Sequence, residues 1–199
     1  ISLPRTQCSQ AFSQCQGYPM KSQTQGSFGP VNFIDKTSMS IVPGVGRGMR
    51  VLAQSNPTSS YGVAVARIHF SGKNTIHGVA THHLVGVGCS PPVPTRHMFI
   101  GKQLDQQSGP GWVCIWPAEA EHSTAFDGPV SGIILRLAPE CLSLAKAEAG
   151  VHRATLVDKM DERDDFITHI ARVLDAEAAS GHPNGMLFWE SATHALLTH

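Results

Sequence analysis

GWVCIWPAEAEHSTAF, residues 111–126, is the stretch on which the reading of the fold turns. In an extended chain successive side chains point to opposite faces, so Trp112, Cys114 and Trp116 share one face and Val113 and Ile115 the other. Pro117 ends that strand in a tight turn, and the chain returns with His122 pointing inward. Asp127-Gly128-Pro129 supplies the next turn. A strand, a proline turn and a returning strand of this length form an antiparallel pair.

Outward from this pair the same pattern repeats. Residues 49–54, 62–70, 75–79, 83–88, 95–100 and 130–137 are short runs of β-type residues, and Ser71-Gly72-Lys73-Asn74 is a turn between two of them. About eight short strands at close spacing predict an antiparallel barrel or sandwich. After residue 137 the composition changes. Pro139 suits a first helical turn, and residues 140–149, rich in Ala, Leu, Glu and Lys, end at Gly150. A second helix is predicted from about 158–161 to 180. Its apolar stripe is Phe166, Ile170, Val173 and Leu174, and its acidic first turn is Asp161, Glu162, Asp164 and Asp165. A third runs from Met186 and reaches His199 without a stop signal, as if interrupted. Residues 1–35, rich in Gln, Ser and Gly, read as an irregular arm.

Composition narrows the function classes. Lys+Arg and Asp+Glu are both 15, so the chain lacks the positive surplus that phosphate binding needs and is not expected to bind DNA by itself. No apolar run approaches the ~20 residues of a membrane helix, and the first residues do not form a signal peptide. The cytoplasm is therefore the default compartment. The chain begins with Ile, which suggests an excerpt. Five cysteines show no metal-type spacing; Cys89 and Cys114 read as small buried hydrophobes, and Cys8 and Cys15 lie in the polar arm. Among eleven histidines, His77, His82 and His83 cluster, which would suit a metal. The same residues would equally serve as hydrogen-bonding groups at a barrel mouth. His82 and His83 are adjacent and thus on opposite faces, and no Glu lies between His69 and Glu119. No metal, cofactor or catalytic residue is therefore assigned, and no enzyme is expected.

Gly111, Pro117, Glu119 and His122 reproduce the spacing of the second cupin motif, with Glu119 where Gly is usual. More of the chain, from roughly 60 to 199, resembles the N-terminal half of AraC-type transcriptional regulators. The resemblance rests on GWVCIWPA, on FDGPV and on the helix LFWESATHALLTH. It implies an α+β, mainly β fold: a cupin-like antiparallel β-barrel followed by about three C-terminal α-helices. The implied divisions are an arm over 1–35, the barrel over 36–138 and a helical dimerisation segment over 139–199, truncated before a DNA-binding half with two helix-turn-helix units. It further implies a small-molecule effector, a homodimer, and DNA as a partner only through that further half. A metal-dependent cupin enzyme and a stand-alone small-molecule-binding cupin module are the alternatives.

Parity then names the candidate site. Val65, Arg67 and His69 share one face of their strand, and Ala64, Ala66, Ile68 and Phe70 the other. Arg67, His83, Trp116, His122 and Arg136 are the expected ligand-binding residues. An inward Arg67 or Arg136 would favour an anionic or carbonyl-bearing effector, and Trp112 and Trp116 would alternatively be core or dimer anchors. On the third helix Leu187, Phe188, Trp189, Leu196 and Leu197 are the expected dimer contacts.

Overall fold

The structure is a computed structural model that describes residues 32–35, 40–43, 49–55, 61–99, 101–148, 150, 156 and 159–199. Most of the predicted arm, with Cys8 and Cys15, lies outside the described residues.

Mainly antiparallel strands are followed by three helices. In chain order the strands are β1 (Asn32–Asp35), β2 (Ser40–Pro43), β3 (Met49–Ser55), β4 (Ala64–Phe70), β5 (Asn74–Val79), β6 (His83–Gly88), β7 (Val93–Phe99), β8 (Lys102–Ser108), β9 (Trp112–Trp116), β10 (Glu121–Phe126), β11 (Val130–Leu137) and β12 (Lys159–Arg163). The helices are α1 (Pro139–Glu148), α2 (Asp165–Ala179) and α3 (Gly185–Thr198). A six-stranded sheet has the order β12-β9-β6-β11-β4-β3 and a four-stranded sheet the order β5-β10-β7-β8. β1 and β2 pair as a separate hairpin. The two sheets stack as the cupin-like reading anticipates. Their edges meet where the Gln106 side chain of β8 donates to the Met160 carbonyl of β12, 3.2 Å away.

Alternation along the large sheet feeds two cores. One face of β4, β6, β9 and β11 presents Val65, Val85, Val87, Val113, Ile115, Ile133 and Leu135 to the helices, where they pack with Ile167, Ala171, Leu174, Trp189 and Leu196. The opposite face turns Ala66, Ile68, Phe70, Leu84 and Trp116 toward the small sheet, against Ile76 and Phe126. The large sheet is therefore a middle layer, apolar on both sides.

Four strands and one helix boundary differ from the sequence expectation: β1, at the end of the expected irregular arm, and β2 were not anticipated, and neither were β8 and β12. β8, KQLDQQS, has one apolar residue and no alternation to reveal it; β7 recruits it residue for residue, from Val93↔Ser108 to Phe99↔Lys102. Of the acidic run placed at the start of the second helix, Asp161 and Glu162 lie instead in β12, which pairs with β9 through an irregular register, whereas Asp164 and Asp165 do stand at the start of α2. α2 begins after Asp164, whose carboxylate accepts from the Ile167 N–H at 2.9 Å. Its buried stripe is Ile167, Ala171 and Leu174, with Phe166 exposed and stacked on His199 at 4.5 Å.

Candidate functional site

The interior face of the sandwich encloses a cavity of about 70 Å³. At ~10–15 Å³ per water, that is room for about five waters, the bulk of one small ring. Its walls come from inward positions of both sheets: Ile68, Phe70, Cys114, Trp116 and Ile134 from one, Ile76, His97, Thr124 and Phe126 from the other. Three glycines stand at inward positions, two where the backbone is crowded and one where the missing side chain leaves space. Gly86 and Gly88 on β6 and Gly132 on β11 line the cavity. At Gly88 and Gly132 an added Cβ would lie 2.2 Å from the Gly109 carbonyl oxygen and 2.9 Å from that of Val87. At Gly86 it would meet only Cys114, at 3.9 Å, so Gly86 is open for want of a side chain rather than because of crowding.

The polar lining is sparse. His97 and Thr124 face each other across β7 and β10, both almost wholly buried, with Nδ1 and Oγ1 3.0 Å apart. Ser90, Ser108 and Ser131 complete it. Trp116 is 7% exposed, and its buried Nε1–H meets no hydrogen-bond acceptor among the described residues. A buried donor in that state costs about 1–3 kcal/mol.

His122 lies beside this wall. It is buried, stacks on its cross-strand neighbour Phe99 at 4.5 Å, and sits 6.0 Å from the Trp116 ring. Arg136 belongs to the same inward face: its strand position opposes Leu84, which in turn opposes Trp116. Burial lowers its pKa below the ordinary guanidinium value. Nearby His82 is also lowered, first by burial and then by the positive charge of Arg136. Trp116, His122 and Arg136 are thus gathered on the inner side, with Arg136 beyond the cavity wall.

Arg67 and His83 are placed elsewhere. Arg67 projects to the helix layer, where its Nε donates to both Asp175 oxygens at 3.1 Å and its Nη2 also pairs with that carboxylate. Burial raises the Asp175 carboxyl above its ordinary range, with Arg67 opposing. Nδ1 of His83 accepts the backbone N–H of Ala118 at 2.8 Å, which pins the turn after Pro117 to the start of β6. The wider histidine cluster does not converge: His77 is exposed beside Glu121, and His82 Nδ1 lies 2.9 Å from Thr81 Oγ1. Among the described residues no group of three or more His, Cys, Asp or Glu is arranged to hold a metal. On α3, Leu187 is 81% exposed and Phe188 37%, whereas Trp189 and Leu196 are core residues of this chain.

The turn itself explains the motif. Glu119, where Gly is usual, has φ +64°, and its N–H donates to the Ala80 carbonyl at 2.8 Å. A non-glycine residue in the left-handed region costs about 1–2 kcal/mol. Glu119→Gly is therefore expected to stabilise the fold by about 0.5–1 kcal/mol, after subtracting the ~0.5–1 kcal/mol of added chain entropy. Urea denaturation measures this, and a clear loss of stability would contradict the strain.

His97, Thr124 and the glycines were not singled out in the sequence. Their parity relative to Trp116 was available, but only the pairing of β7 with β10 reveals which strands share the cavity.

No protein-family model matches the chain, and no curated protein matches its sequence. Solved structures do resemble it. A cupin superfamily protein from Desulfitobacterium hafniense is 14% identical over 61% of this chain and 99% of its own, with a TM-score of 0.39. A cupin domain from Bordetella pertussis is 15% identical over 45% of this chain and 93% of its own, with a TM-score of 0.36. An oxalate decarboxylase variant from Bacillus subtilis is 12% identical over 46% of this chain and 29% of its own, with a TM-score of 0.33. The last of these corrects the expectation that the chain is not an enzyme. Enzymes stand among its structural neighbours, so a non-catalytic role does not follow from its architecture, and likenesses this distant assign it no activity. No described helix is long and apolar enough to cross a membrane.

Proposed function

We propose that this chain is a small-molecule-sensing module of an AraC-type transcriptional regulator, with its ligand held between the two sheets. The observation that carries the reading is the cavity beside Trp116 and His122, on the face of the large sheet opposite the helices. One sheet thus separates a ligand chamber from a helical layer, and β4, β6, β9 and β11 each contribute to both. A ligand that tightens the inner face acts on the same strands that seat α2 and α3. Leu187 and Phe188 on α3 offer apolar surface to a second copy of the chain. DNA contacts belong to further residues, since this chain has equal numbers of basic and acidic side chains. The coding sequence downstream of His199 tests the regulatory part. Paired helix-turn-helix units are expected there, and an immediate stop codon would leave a stand-alone binding module instead.

A further inference from the structure

Three half-buried residues of the chamber form a continuous floor. Ile134, Gly86 and Cys114 stand side by side on β11, β6 and β9, each the register partner of the next. All three keep partial exposure, although their strands lie inside the six-stranded sheet. The helix-facing neighbours Val85, Val87, Val113, Ile115, Ile133 and Leu135 are at most 8% exposed, so that side of the sheet is sealed. The accessible surface of the row therefore faces the small sheet, where all three residues line the cavity. We propose that this row seats an uncharged molecule whose body is a single apolar ring. This class presupposes that the chamber is the ligand site, as proposed above, and names what the site selects.

The floor is a branched alkyl group, a bare backbone and a thiol, with Phe70, Ile76 and Phe126 among the walls around it. Surfaces of this kind reward buried apolar area. Only Cys114 comes within 4 Å of the point where a Gly86 side chain would begin, so a ring can lie on the backbone between Ile134 and Cys114. The polar lining does not offset a polar body. His97 Nδ1 and Thr124 Oγ1 are bonded to each other at 3.0 Å, and the Ser131 hydroxyl lies 2.9 Å from His69 Nδ1. Ser90 lies just beyond β6 and Ser108 is the last residue of β8, so both stand at strand ends. No Asp, Glu, Lys or Arg lines the cavity, and a charge placed there without a partner is costly. Arg67, which could have paired an anion, is on the opposite face and held by Asp175. The volume of about 70 Å³ bounds the size, since pockets for drug-sized ligands run to ~300 Å³ or more.

Cyclohexanol, cyclohexane-1,3,5-triol and cyclohexanecarboxylate each carry one ring and differ in hydroxyl number and charge. Each is titrated into the ¹⁵N-labelled, backbone-assigned chain, and the amide resonances of Gly86 and Cys114 report occupancy of the floor. Gly101, in the turn between β7 and β8, serves as the reference. Cyclohexanol is expected to shift the Gly86 and Cys114 amides saturably and leave Gly101 in place. The triol and the carboxylate should each bind at least about tenfold more weakly, because further hydroxyls or a charge must be buried without partners. Equal or tighter binding of the triol would replace the apolar ring by a polyol, and equal or tighter binding of the carboxylate would replace it by an anion. In either case movement of the same two amides would leave the chamber as the site. If none of the three moves Gly86 or Cys114 at millimolar concentration, the ligand class and the chamber reading fall together.

Discussion

Trp189→Ala is expected to lower the unfolding free energy by about 3–5 kcal/mol, the usual cost of deleting a large aromatic ring from a packed core. Trp189 has no solvent exposure, lies with Ile167, Ala171, Leu174 and Leu196 against the large sheet, and meets the edge of the His182 ring at 5.1 Å. His182 is itself tied back to the sheet, its Nε2 2.6 Å from the Ser55 hydroxyl. Buried Glu177 braces the same corner, accepting the Asn184 backbone N–H at 2.9 Å and its side-chain amide at 2.8 Å. Removing the indole thus undermines the seat of α3 and the turn that enters it. Against a typical total of ~5–15 kcal/mol, such a loss moves the urea midpoint far. A cost below about 1 kcal/mol would show that α3 is not docked as described. Leu187→Ala, at 81% exposure on the same helix, is the control and should change stability by less than about 0.5 kcal/mol.

Arg67→Ala is expected to cost about 3–5 kcal/mol at neutral pH, because it leaves the buried Asp175 carboxylate without its cation. The pH dependence carries a sign. Burial raises the folded Asp175 pKa above its ordinary 3.8, so the folded chain binds the extra proton more readily than the unfolded one. Stability from this group is complete below 3.8 and is lost as pH rises through the raised value. Arg67 opposes that rise, so removing it lifts the Asp175 pKa further and widens the window of loss toward neutrality. The penalty of Arg67→Ala should therefore be small near pH 4 and grow up to pH 7. Urea unfolding across that range measures it. A penalty independent of pH would mean that the pair contributes through packing alone. Arg67→Met with Asp175→Leu should recover most of the loss, since an apolar pair of similar size avoids burying either charge.

The strands legible in the sequence were those whose alternation the core enforces. β6, β9 and β11 carry apolar side chains on both faces and fall where their pattern and turns put them. β8 and β12 are edge strands held by backbone pairing, and their side chains, polar in β8 and mostly charged in β12, leave no periodic signal. The same two-sided burial that made β4 visible hid the direction of Arg67. Parity correctly groups it with Val65 and His69, but it cannot say which of two apolar faces looks into the sandwich. At the site, the proline turn exposed Trp116 and His122, because a turn fixes the phase of the strands on either side. His97 and Thr124 needed the β7–β10 register, and the cavity needed Gly86, whose importance is a missing side chain.

Gly86 also gives the most direct test of the central claim, that the space between the sheets is the ligand site. Gly86→Val places an isopropyl group in the cavity, with its Cβ at ordinary contact distance from Cys114. Thermal unfolding of the unmodified chain and the variant, each with increasing cyclohexanol, reads both stability and binding, since a ligand of the folded state raises the midpoint. The expected result is a variant that unfolds at the same temperature or higher without ligand, and no longer responds to cyclohexanol. A variant equally stable that keeps the full ligand-induced rise would place the ligand elsewhere and contradict the account.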